Sequence, residues 1–235
     1  MLPVQHFSKK IKLDAFEVES DLFNNCTPEE VYMIMRHAGY SIRRYEKGQD
    51  IYAPGSDIEQ CGLILGGIVD VIQITPSGRE ELVVRESSGE LIGQAFCIAG
   101  KKNSFIFFRA SSDVTMLFFG LRRILMTPNG DTYYIKFISN ISSILASTNI
   151  GLNRKIRILT QKTLRDKLWL FFRELAKQNG DSNHFRLNFT REQIASYVCA
   201  ERASVCRELG RMQDEGLILL HGKNVTLLTE DYLSH

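Results

Sequence analysis

The stretch FTREQIASYVCAERASVCRELGRMQDEGLILLHGK, residues 189–223, constrains the fold more tightly than any other part of the chain. Thr190-x-x-Gln193 is a capping box, in which hydroxyl and amide satisfy each other's backbone N–H groups, so it opens a helix that carries Ile194, Ala195 and Val198. A tight turn is expected at Cys199-Ala200. A second helix then runs over roughly Glu201–Glu215 and stops at Gly216, and LILLHGKNVTLL reads as a hairpin around His221-Gly222-Lys223-Asn224.

Two short helices joined by a tight turn and followed by a hairpin make a winged helix-turn-helix. At about 100° per residue, Val205, Leu209 and Met212 fall on one side of the second helix, while Ala203, Ser204, Arg207 and Arg211 fall opposite. The apolar side seats the helix, and the other side is free to enter a major groove. An arginine fork donates two hydrogen bonds to guanine, and small neighbours permit close approach. Arg202, in the first turn, can reach a phosphate or a base edge. Thr190 and Arg191 at a helix start and Lys223 at the wing tip suit phosphate contacts, which orient without reading sequence. Taken alone, the two arginines Arg207 and Arg211 fit an ordinary solvated face equally well; the whole constellation favours double-stranded DNA. Charge agrees in sign: residues 1–153 carry 15 Lys and Arg against 17 Asp and Glu, residues 154–235 carry 14 against 10. An excess of that size is weak by itself.

Upstream, Thr163-x-x-Asp166 caps a helix whose Leu164, Leu168, Phe171, Phe172 and Leu175 share a face; it ends near Asn179-Gly180, and a short strand follows at 185–189. The N-terminal half differs in period. Thr27-Pro28-Glu29-Glu30 starts a short amphipathic helix with Val31, Ile34, Met35 and Ala38, ended by Gly39. From Ser41 to about Phe119, glycine or proline recurs every few residues between the runs GLIL, IVDVIQI, ELVVRE, SFIFFRA and VTMLFFG. That rhythm predicts a β-roll or jelly-roll barrel. Between Asp131 and Leu159, Tyr134, Ile138, Ile141, Leu145, Thr148 and Leu152 recur at alternating steps of four and three. One long helix, about 28 residues and about 40 Å, would carry them as a single stripe. The stripe serves either a dimer seam or packing on the chain's own barrel, and the length favours the seam. The expected fold is therefore α+β: a sensor barrel over 20–128, a dimerisation helix and hinge over 129–160, and a winged helix-turn-helix over 161–235.

A chain of 235 residues with 44% hydrophobic content can bury a sizeable core. It has no run of about 18 apolar residues, and MLPVQHFSKKIKLD lacks the apolar block of a signal peptide, so the expectation is a cytoplasmic protein with no membrane association. Five cysteines, Cys26, Cys61, Cys97, Cys199 and Cys206, are widely spread without a CxxC pair, and the histidines show no ligand spacing. No metal site is expected. A barrel enzyme of the cupin kind would need a His/Glu ligand set on its strands, and residues 41–119 do not supply one; the chain reads as a binding protein rather than an enzyme.

With these residues in place, the sequence resembles the CRP/FNR transcription regulators of bacteria. Residues 189–223 look like that family's helix-turn-helix and wing almost without gaps, and GELIGQAFCIAGKKNSFIFFRA (89–110) resembles the ligand-holding cassette of its barrel. The resemblance covers about residues 20–230. It implies a homodimer joined along the long helix, two recognition helices on a near-palindromic site, effector-controlled transcription, and RNA polymerase as a partner. It places Arg202, Ser204 and Arg207 at DNA contacts. Ala203 departs from the pattern: where many members have glutamate to accept from cytosine, alanine can only pack on a thymine methyl.

The cassette departs further. Gly93 and Gln94 head it, with Gln94 where the family's cyclic-nucleotide binders place a ribose-binding glutamate, and Ser104-Phe105 replace the arginine–serine pair that holds the phosphate. Leu152-Asn153 stand where cyclic-AMP binders have small hydroxyl residues. Losing a charge-assisted bidentate pair removes much of the affinity, so cyclic AMP is not expected, although Lys101 or Lys102 is near enough in sequence to supply a charge. An iron–sulfur cluster held by N-terminal cysteines is not expected either, since Cys26 stands alone. What remains is a pocket lined by Phe105, Phe107, Cys97 and the helix around Asn149 and Leu152. It either fills itself or holds a small organic effector or haem. Cys206 on the recognition helix is either a packed thiol or a redox switch.

Overall fold

The computed structural model describes residues 9–13, 16–100, 106–127 and 131–229, with side chains from residue 17 onward. A hairpin of β1 (Lys9–Leu13) and β2 (Phe16–Ser20) precedes α1 (Pro28–Ala38). Helix α1 starts where its chemistry dictates. The Thr27 hydroxyl accepts from Glu30 N, the Glu30 carboxylate accepts from Thr27 N at 2.8 Å, and Pro28 occupies a position whose N–H has no helical partner.

The strands that follow are β3 (Tyr40–Tyr45), β4 (Asp50–Tyr52), β5 (Cys61–Gly66), β6 (Ile68–Ile74), β7 (Glu80–Ser87) and β8 (Leu91–Ile92). Helix α2 (Gln94–Ala99) comes next, then β9 (Ile106–Ala110), β10 (Val114–Phe119) and α3 (Leu121–Met126). They pair, all antiparallel, into two four-stranded sheets, β3-β10-β5-β8 and β4-β9-β6-β7. Apolar alternation puts Leu63, Met116, Phe118, Phe108 and Ala110 into one shared core. The expected barrel is present, and the cassette departs from a pure strand reading: Gly93 turns the chain so that QAFCIA winds as a helix rather than continuing as strand.

Helix α4 (Thr132–Leu159) is continuous over 28 residues. Its first part docks on the barrel through Tyr134 (2% exposed), Phe137 (0%) and Ile141 (3%). Polar contacts fix it there. Lys136 Nζ pairs with Glu30 Oε1 at 2.7 Å, and Asn140 Nδ2 donates to the carbonyls of Leu22 and Asn24 at 3.0 and 2.8 Å, satisfying the end of a 3-10 turn. Tyr134 and Ile141 are therefore committed to the chain's own core and are not free for a partner. This corrects the stripe read from spacing: the exposed one lies a residue over, with Ile135 (66%), Leu152 (50%) and Ile156 (58%) solvent-facing.

The chain divides into two compact units with the boundary between Ala146 and Ser147, inside α4. The second contains α5 (Leu164–Gln178), β11 (His184–Arg186), α6 (Arg191–Tyr197), α7 (Arg202–Asp214), β12 (Ile218–His221) and β13 (Asn224–Leu227). Its core is built on Trp169, Phe171, Phe172, Ile194, Val205 and Met212. Buried Glu174 on α5 faces Arg157 at 3.3 Å and Arg154 at 3.7 Å, while Lys155 stacks 5.4 Å over the Tyr197 ring. The end of α4 is thereby joined to the C-terminal unit.

Candidate nucleic-acid interface

The interface is assembled from local signals first. Thr190 and Gln193 form the second capping box, with Thr190 N donating to Gln193 Oε1 at 2.8 Å, and set the start of α6. Cys199 takes a positive φ of 53°, and Ala200 N donates to Ala195 O at 2.9 Å, which closes the turn between α6 and α7. Helix α7 is seated by Val205, Leu209 and Met212, all nearly fully buried.

Burying three such side chains stabilises the seat by about 1.5–3 kcal/mol each. The opposite side is left to solvent. Arg202, Ala203, Cys206, Arg207 and Arg211 are exposed and Ser204 is half-buried. Arg207 Nη2 donates to Ser204 Oγ at 3.2 Å, which steers the guanidinium along the outward face. Arg211 makes a 3.4 Å contact with Glu208 and stays 68% exposed.

A buttress behind α7 was not foreseen from the sequence. Arg165 of α5 reaches Glu208 with Nε and grips both Glu215 oxygens with Nη1 and Nη2, a fork-to-carboxylate pair at the end of α7. Its partners lie 43 and 50 residues away, so no local pattern announces them. The wing is held to the same frame: Leu220 N donates to Gln213 Oε1 at 2.8 Å, and Leu187 N to Lys223 O at 2.6 Å. That leaves the Lys223 ammonium exposed at the tip. Arg191 is half-buried with Nη1 enclosed and unpaired, and the Thr190 hydroxyl is engaged as the α6 cap. Arg202, Ser204, Arg207 and Arg211 thus lie on one helix, with Thr190, Arg191 and Lys223 on elements flanking it.

The candidate effector residues do not come together as expected. Gly93 is the buried N-cap of α2 with φ 75°, and a Cβ there would come within 2.6 Å of Ile58 Cγ2. Gln94 begins α2. Cys97 is buried and donates from Sγ to Ile58 O at 3.4 Å, and burial pushes its thiol up to about 11. Cys61, equally buried, is held well above the usual thiol range.

Phe107 lies on the opposite face of β9 from Phe108 and Ala110, with Arg109 4.9 Å over its ring, so it does not line the barrel interior with Cys97. Asn149, Leu152 and Asn153 are exposed on the part of α4 that belongs to the second unit, where Asn153 Nδ2 donates to Asn149 Oδ1. Ser104, Phe105, Lys101 and Lys102 lie outside the described residues. The recess beside α2 is instead about 350 Å³ and lined by Asp57, Ile58, Glu59, Phe96, Cys97, Gly100 and Arg122.

Among the described residues, no His, Cys, Asp or Glu cluster could hold a metal, and no helix is long and apolar enough to cross a membrane. Residues 42–126 match the cyclic nucleotide-binding domain model and 166–235 the Crp-like helix-turn-helix domain model. The chain is 24% identical over 193 residues to the fumarate and nitrate reduction regulatory protein of Escherichia coli K12, covering 80% of this chain and 75% of that one. It is 25% identical over the same shares to electron transport regulator A of Shewanella oneidensis. Among solved structures, CprK complexed with OCPA matches at a TM-score of 0.66 and 17% identity, covering 86% of this chain and 90% of that one. The c-di-GMP-responsive regulator CLP of Xanthomonas campestris matches at 0.60 and 20%, covering 87% and 100%. Barrel, long helix, winged helix-turn-helix and relatives agree: the chain belongs to the CRP/FNR family of DNA-binding transcription regulators.

Proposed function

We propose that the protein acts as a homodimer that binds a near-palindromic DNA site with two copies of α7 and regulates transcription together with RNA polymerase. The observation that carries the reading is the outward face of α7, where Arg202, Ser204, Arg207 and Arg211 stand free of the core over a helix seated by Val205, Leu209 and Met212. Dimerisation has its own support. Ile135, Ile138, Ser142, Leu145, Asn149, Leu152 and Ile156 follow alternating steps of three and four along α4. That is the spacing of a two-helix seam, and it leaves large apolar side chains in water unless a second copy covers them. In a symmetric pair each α7 meets one half-site, so a two-fold protein reads an inverted repeat.

An effector, where one acts, is a small organic molecule rather than a cyclic nucleotide. Among the described residues the start of α2 offers no arginine for a cyclic phosphate: Arg109 is committed to Asp50 and Glu80 at 2.8 Å each, and Arg122 stands by Gly100 at the far end of α2. A second reading, thiol control of DNA binding, is favoured by one observation: Cys206 is exposed beside Arg207, while Cys26, Cys61 and Cys97 are buried. The test is selection of binding sites from a random duplex pool by the purified protein, repeated with cyclic AMP and under mild oxidation. An inverted repeat enriched without additive supports the reading, and cyclic-AMP dependence would overturn the effector part. Oxidative loss of binding that Cys206→Ser abolishes would establish thiol control.

A further inference from the structure

Gly210 stands in the middle of α7, where glycine is the worst residue short of proline for helix stability. Glycines in this chain have visible reasons elsewhere. Gly93 and Gly222 adopt positive φ, Gly62 is crowded by Met116 and Ile92, and Gly66 faces the bulge in the β5–β10 ladder. Gly210 has none of these. Its φ is helical, and a Cβ built on it meets nothing within 4 Å. Nothing inside the protein requires a bare backbone there.

Something outside would. At 100° per residue, Gly210 falls on the same outward side as Ala203 and Arg207, one turn beyond Arg207 and away from Val205, Leu209 and Met212. A major groove about 12 Å wide receives a helix about 10–12 Å across with its side chains, so the fit has no slack where a groove wall crosses the helix.

We infer that Gly210 is the point at which the sugar–phosphate backbone passes closest to α7, and that its missing side chain sets the depth to which Arg207 reaches the bases. It acts as a positioning residue. This rests on α7 being the reading helix, and the test separates the two claims. Wild type, G210A and G210V are compared for thermal midpoint and for affinity, at one salt concentration, toward the duplex that wild type selects from a random pool and toward a scrambled duplex.

In G210A the midpoint rises, because alanine is the better helix former, and affinity for the selected duplex falls about tenfold, on the scale of one lost base contact. In G210V the loss is greater, and discrimination against the scrambled duplex narrows in both. A more stable G210A that binds within about twofold of wild type overturns the inference, since about twofold is well under the energy of one base contact. So does a lower midpoint, which would mean the glycine serves the fold. An R207A variant that still discriminates as wild type does shows instead that α7 is not the reading helix.

Discussion

Arg207→Ala and Lys223→Ala, measured side by side, separate reading from gripping. Arg207 is exposed, and its one described hydrogen bond, to Ser204 Oγ, is solvent-accessible, so its removal leaves the α7 seat intact. Thermal midpoints should stay within the small range of surface substitutions. A bidentate arginine–guanine pair carries about 1–3 kcal/mol of discrimination, so two copies in a dimer carry about 2–6 kcal/mol, a loss of at least about 30-fold for the preferred site. Binding to scrambled DNA, which rests on phosphate charge, should change far less.

Lys223 at the wing tip should show the converse pattern. Affinity falls alike for preferred and scrambled duplexes, and the slope of log K against log salt becomes shallower by about 0.9 per lost phosphate contact, or about 1.8 for a dimer. Fluorescence anisotropy on both duplexes across a salt series reads all of these quantities. If Arg207→Ala lowers affinity equally for both duplexes with a shallower salt slope, Arg207 grips phosphate and the assignment of α7 as the reading helix through that residue is refuted.

Leu152→Asp, which places a charge in the exposed seam of α4, should convert the dimer to monomer in sedimentation velocity while each unit keeps its melting transition; an unchanged dimer would place the interface elsewhere. Thr190→Ala removes the α6 cap and should cost about 1 kcal/mol by denaturant titration, with weaker DNA binding as α6 frays. In the native protein near pH 8 a thiol reagent should titrate Cys199 and Cys206 promptly and leave Cys26, Cys61 and Cys97 until unfolding, since these are buried. The Cys97 thiol is raised from 9.0 to about 11 in the fold, so the stability it contributes is full below pH 9 and lost as pH rises towards 11. Cys97→Ala should flatten that alkaline loss, and an unchanged pH profile would count against burial as its cause. Arg165→Ala should loosen α7 from α5 and lower the midpoint more than Arg211→Ala does, because Arg165 is held by two carboxylates while Arg211 is mostly solvated.

Much was legible in the sequence because the signals are local. The capping boxes at Thr27 and Thr190 and the cap at Thr163 involve residues three apart, and each marks a helix start in the structure. The same holds for the outward arginines of α7, because a 3.6-residue period with Val205, Leu209 and Met212 on one side leaves little choice for the other. The wing followed from Gly222, whose positive φ the hairpin turn requires.

Other features depended on contacts between distant residues. A stripe of alternating threes and fours can be drawn through Tyr134 or, one residue over, through Ile135, and the sequence pattern admits both. The barrel's claim on Tyr134, Phe137 and Ile141 chooses between them. Phe107 seemed a pocket residue until strand pairing assigned β9 its faces. The Arg165 buttress and the Glu174 pairs join residues far apart in the chain. Sequence by itself therefore determined where helices begin and which face of a helix is apolar, since hydrogen bonding and periodicity act over a few residues. Tertiary structure decided which of two neighbouring apolar faces is buried, because that choice turns on shape and desolvation against partners brought in from elsewhere in the chain.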